Sequence, residues 1–160
     1  MRALKLAVCF LLVGTGYAET GSMQESESVI AGRVVAHRLH AAVRVGDPAA
    51  VEAALAAGAD INRSGALELA ILMERQDIVD LLIERGADVN RAGPSGDLPL
   101  AVAARRGRLE MMQRLIDKGA DPRLRDRRGM TALDHAQRQG RAEAVRLLQR
   151  RAPRNSSSVR

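Results

Sequence analysis

Few side chains in this 160-residue chain are of a type that does covalent or metal chemistry. There are three histidines, His37, His40 and His135, and one cysteine, Cys9. His37 and His40 stand three apart, a spacing that puts two imidazoles on one face of a helix, where they could share a metal ion. A protein site needs more donors than two, and no third ligand is spaced to join them. Three carboxylates, Asp60, Asp88 and Asp121, each close a Gly-Ala-Asp triplet. Recurring beside helix ends, they read as turn-fixing groups and not as a general acid/base pair. The Ser-containing segments carry no nucleophile elbow, and no Gly-rich phosphate loop follows a strand. The expectation is therefore a non-enzymatic protein with no catalytic residue, no cofactor and no metal.

Charge is the more informative chemistry. Residues 19–104 hold 13 acidic and 7 basic side chains, a net −6, whereas residues 105–160 hold 6 acidic and 16 basic, a net +10. Beyond the first eighteen residues nearly all the basic side chains are arginine, with Lys118 the one lysine. The planar guanidinium fork favours carboxylate and phosphate partners.

The elements that must position these charges repeat along the chain. Leu67, Leu100 and Leu133 are 33 residues apart, as are Ala70, Ala103 and Ala136, and as are Leu82, Leu115 and Leu148. A fixed period in this range marks stacked units that each bury an apolar face against a neighbour. The stretch Gly96 to Asp121 is the most regular copy. Thr131-Ala132-Leu133-Asp134-His135-Ala136 and Leu98-Pro99-Leu100-Ala101-Val102-Ala103, with the Gly-Ala-Asp triplets, resemble the signature of the ankyrin repeat. The resemblance covers about Val34 to Arg154. It implies an all-α repeat solenoid of about four ankyrin-like helix-turn-helix units with short hairpin connections, and a role in binding another protein.

Four units are expected, at about 34–60, 61–88, 89–121 and 122–152, within a domain spanning 33–154. In the first, Asp47-Pro48 opens the outer helix, Asp as N-cap and Pro at the first helical position. The second arrives five residues early, which leaves Ile61 to Gly65 as a tight turn. There Glu74 replaces the interhelical glycine found at Gly46, Gly107 and Gly140. Before the repeats, residues 1–18 have the layout of a cleaved signal peptide. Arg2 and Lys5 precede the apolar run Leu6 to Val13, and Gly16-Tyr17-Ala18 supplies small residues ahead of a cut after Ala18. The run is too short to span a bilayer. Residues 19–32 read as a flexible acidic leader, and 155–160 as a disordered tail. Export places the mature protein in the periplasm or outside the cell. After Ala18 the chain has no aromatic residue and no thiol, so stacking alone must hold it together.

In ankyrin-like stacks the hairpin tips and the exposed ends of the inner helices line one surface. That rule assigns a partner-binding groove to Leu72, Met73, Arg105, Arg106, Arg127, Arg128, Met130 and Arg138. It grades from apolar to basic, and five guanidiniums on one surface repel one another unless an acidic group arrives. The expected partner is a protein with an acidic surface, which the chain, itself a monomer, would mask, stabilise or inhibit; a cognate toxin and an envelope enzyme are both fitting clients. The alternative is an anionic envelope component, lipid phosphate or acidic polysaccharide. Nucleic acid is not expected, because no aromatic is available to stack on bases. No stable membrane insertion is expected either, because no amphipathic inserting helix is present.

Overall fold

The computed structural model describes residues 20–151, so the expected signal segment and the C-terminal tail lie outside the described residues. Among these residues eight helices follow one another: α1 (Thr20–Val45), α2 (Pro48–Ala56), α3 (Ala66–Leu72), α4 (Gln76–Glu84), α5 (Pro99–Arg106), α6 (Leu109–Asp117), α7 (Ala132–Arg138) and α8 (Ala142–Arg151). Among the described residues there is no strand, and no helix is long and apolar enough to cross a membrane. The chain divides at Gly32, and the repeats occupy the unit from Gly32 onward.

That unit is a stack of helix pairs. The inner helices α3, α5 and α7 pack successively against one another, and of the outer helices α2 packs on α4 and α6 on α8. Equivalent positions supply the core. Leu39, Leu67 and Leu100 are buried, with Leu133 packed against them, and so are Ala42, Ala70, Ala103 and Ala136. The alanines let neighbouring inner helices approach closely, while Val51, Val79, Met112, Leu82, Leu115 and Leu148 fill the space toward the outer row. Each such large side chain contributes about 1.5–3 kcal/mol by leaving water.

Local chemistry sets the helix ends. Asp47 Oδ1 accepts from the amides of Ala49 and Ala50 at 3.0 and 3.2 Å, and Pro48 occupies the first helical position. This satisfies amides that have no intrahelical partner. Thr131 and Asp134 form a reciprocal capping box at the start of α7. Between helices of a pair the chain turns through a left-handed residue at Gly46, Gly107 and Gly140. Glu74 takes the same conformation, φ 59°, and is the one non-glycine residue to do so among those described. The turn is thus kept at Glu74 without its glycine, because the flanking helices dictate it, at a strain that glycine would avoid.

One expectation is corrected. The acidic leader 19–32 is helical from Thr20 as part of α1. Extending an existing helix adds a hydrogen bond per residue without a new nucleus, and nothing from Met23 to Ser28 breaks one. No apolar stripe announced this segment, and Val29 and Val34 are indeed exposed. The tight turn at 61–65 is present, and the next unit packs against it. Pro94 lies over Gly65, Gly93 sits against Glu68, and Ser95 Oγ donates to Glu68 Oε1 at 2.5 Å.

Candidate functional site

The hairpins are organised by the Gly-Ala-Asp triplets and an asparagine two residues on. Asp60 Oδ1 accepts from the amides of Asn62 and Arg63, Asp88 Oδ1 from Asn90, and Asp121 Oδ1 from Arg123, all at 2.8–2.9 Å. Each asparagine then reaches forward one repeat. Asn62 accepts from the Asp88 amide and Asn90 from the Asp121 amide, both at 2.8 Å, while their Nδ2 groups donate to Gly86 O and Gly119 O. This ladder fixes the spacing of the hairpins and ends at the fourth repeat, where Arg123 stands in place of asparagine.

On that frame the structure places the expected groove residues in four groups. Leu72, half-buried, and Met73, exposed, close α3; Arg105 and Arg106 close α5; Arg138 closes α7. Arg127, Arg128 and Met130 lie on the hairpin before α7. Arg127 is anchored: its amide donates to Gly96 O at 3.2 Å, and its side chain covers Gly96. A Cβ at Gly96 would meet Arg127 Nε at 2.8 Å, and φ there is +84°. Only glycine fits both demands. Arg138 Nη1 lies 3.4 Å from Met130 Sδ.

One member of the expected set does not carry free charge. Arg105 Nη1 donates to Asp97 Oδ2 at 2.8 Å, with the Asp97 side chain 6% exposed. Five converging guanidiniums therefore become four. Arg105 with Asp97 and Arg138 with Met130 are the same contact one repeat apart, helix end to hairpin eight residues earlier. Among the described residues no carboxylate comes within ion-pair distance of Arg106, Arg127, Arg128 or Arg138.

The outer helices behave differently. Arg85 pairs with Glu52, Arg108 with Glu74, Arg114 with Asp80 and Arg151 with Asp117. Each arginine takes its acid from the preceding repeat. Arg146 is held by Glu143 on its own helix.

The histidines separate by role. His40 Nε2 lies 2.5 Å from Ser64 O and holds the short turn, while His37 is exposed. His135 is buried, its Nε2 2.6 Å from Asp126 Oδ2. Asp126 Oδ1 also accepts from the amides of Arg128 and Met130 at 2.8 and 2.9 Å. Burial alone would raise the Asp126 pKa; the His135 and backbone hydrogen bonds together outweigh it and hold the carboxyl below its ordinary value. Asp97 completes a buried cluster, because one donor atom from each of Asp97, Asp126 and His135 lies within 4.8 Å of the others. No sequence pattern joined His135 to Asp126 or Asp97. Neither separation, 9 residues from Asp126 or 38 from Asp97, follows the repeat.

Ankyrin-repeat family models match this chain twice, a single-repeat model over residues 65–93 and a model of many copies over residues 82–136. An ankyrin repeat and KH domain-containing protein of Caenorhabditis briggsae is 42% identical over a 73-residue alignment that covers 40% of this chain. The chain spans only 3% of that relative's length. Repeats of this kind generally mediate protein–protein interaction. Residues 65–136 thus match ankyrin repeats, and the same helix pair recurs on either side of them in an all-α repeat stack.

Proposed function

We propose that this solenoid binds the acidic surface of a partner protein in an exported compartment, and masks, stabilises or inhibits it. The observation that carries the reading is the contrast between the two faces. Arg85, Arg108, Arg114 and Arg151, on or beside the outer helices, find carboxylates on the preceding repeat, whereas Arg106, Arg127, Arg128 and Arg138 have none within reach among the described residues. Unpaired guanidiniums on one surface raise the local potential and steer an acidic partner toward it. Met73, 47% exposed, offers an apolar contact at the other end of the same helix-end row. Export is supported by Leu6 to Val13 and by Gly16-Tyr17-Ala18.

The test compares capture from an envelope extract by the wild-type chain, by Arg106→Glu/Arg128→Glu and by Arg146→Glu. The first double variant should associate at least tenfold more slowly with whatever the wild type retains, and wild-type binding should weaken as salt rises. Arg146→Glu, on α8, should bind as wild type. The reverse pattern would move the partner to the outer helices and end the groove reading. If vesicles of anionic lipid are retained and no protein is, the envelope-component alternative replaces it.

A further inference from the structure

We propose that Asp97, Asp126 and His135 form a binding site for a first-row divalent transition metal ion of the zinc class, built where the third repeat meets the fourth. The donor set is the first reason. Two carboxylates and an imidazole suit such ions, whereas calcium and magnesium prefer oxygen alone. Burial is the second: the three residues are 4, 8 and 4% exposed. Solvated surface carboxylates often cluster without purpose, but these have been taken out of water together.

Geometry permits the site. With metal–ligand distances of 2.0–2.2 Å, tetrahedral ligands stand about 3.4 Å apart. The present separations run from 2.6 Å, between His135 Nε2 and Asp126 Oδ2, up to 4.8 Å. The closest pair must open by about 0.8 Å and the widest close by about 1.4 Å at most. Asp126 is oriented in advance, since its other oxygen accepts from two backbone amides. A metal would take the place of the hydrogen bond between His135 and Asp126. Binding such an ion requires neutral imidazole and ionised carboxylate.

Arg105 is the competitor. It pairs with Asp97 Oδ2, and its side chain is 31% exposed, so it can turn outward to solvent. Two buried carboxylates balanced by one guanidinium leave one negative charge when His135 is neutral. A divalent ion replacing Arg105 brings the cluster to neutrality. Binding at this site stands apart from the groove reading and would survive its failure.

The experiment titrates zinc into the full chain, stripped with chelator, by calorimetry. One equivalent is expected, with a melting temperature by circular dichroism that rises with zinc concentration. His135→Gln and Asp97→Asn should each weaken binding about tenfold or more, since even indirect support of a metal ligand is worth that much. Arg105→Gln should bind more tightly than wild type. His37→Gln should leave binding unchanged, and calcium should not bind. Nitrogen-15 spectra of the wild-type imidazoles need no variant: zinc should shift His135. No zinc uptake by the folded wild type and Arg105→Gln would overturn the proposal, as would shifts confined to His37 and His40. Folded His135→Gln or Asp97→Asn protein with undiminished affinity would overturn it equally.

Discussion

Leu100 and Leu148 are 3% and 1% exposed, so burial alone predicts that truncating either to alanine costs the same. Stacking predicts otherwise. Leu→Ala in a packed interior removes the transfer energy of the lost methyl groups and adds a cavity term, about 2–5 kcal/mol together, and the spread reflects how far the surroundings can close in. Leu100 lies on α5, which has α3 on one side and α7 on the other. Neither can move in without breaking its own packing, so Leu100→Ala should fall at about 3–5 kcal/mol. Leu148 lies on α8, which packs against α6 and α7 with no further repeat among the described residues beyond it. That helix can shift inward, and Leu148→Ala should cost about 2–3 kcal/mol.

Urea melts followed by far-ultraviolet circular dichroism measure both losses, since beyond Ala18 the chain has no aromatic residue to report. The shape of the transition adds a second readout. If damage at the edge lets the fourth repeat melt alone, Leu148→Ala should also lower the m value, which scales with the surface exposed in the transition. Leu100→Ala should keep one cooperative transition. Equal losses for the two variants, at equal m values, would refute the argument that position in the array decides the cost.

Two further outcomes are expected. In chelator, stability should fall as the pH drops below the ordinary carboxyl value of 3.8, because Asp134 and Asp126 both titrate below it in the fold. Asp134 is held down first by the Thr131 amide and then by the Thr131 hydroxyl; a lowered folded pKa gives stability that is complete above the unfolded value and lost through the folded one, so Asp134→Asn should flatten the acid limb. Mass spectrometry of the native protein should find Glu19 at the N-terminus, and an intact Met1 would end the export reading.

The fold was legible because its signals repeat. Leu67, Leu100 and Leu133 announce the period, and Asp47-Pro48 announces the start of α2 without any tertiary information. The start of α1 was not legible, since a helix that shows no apolar stripe has no periodicity to read. The groove was half legible. Register alone put Arg105 and Arg138 at equivalent helix ends, yet whether each is free depends on the residue eight earlier, Asp97 in one repeat and Met130 in the next. Asp126 and His135 meet across a hairpin and a helix start, a contact that no spacing rule announces.

The ion-pair ladder bears on how the charge asymmetry should be read. In the four pairs that join neighbouring repeats the acid belongs to the earlier repeat and the arginine to the later one: Glu52 with Arg85, Glu74 with Arg108, Asp80 with Arg114, Asp117 with Arg151. Two of these pairs straddle residue 104. Part of the acidic excess before it and of the basic excess after it is therefore a stacking device and points to no partner. Those pairs are about half-exposed, and pairs of that kind are worth only about 0–1 kcal/mol each. Their use lies more in register, because a slipped stack would set arginine against arginine. Arg106, Arg127, Arg128 and Arg138 stand outside this scheme, on helix ends and a hairpin where the preceding repeat presents no carboxylate to them. Arg127 covers Gly96 and Arg138 reaches Met130, so stacking accounts for the placement of these two side chains but not for their charge. It is this remainder, and not the net +10 of residues 105–160, that the groove hypothesis has to explain.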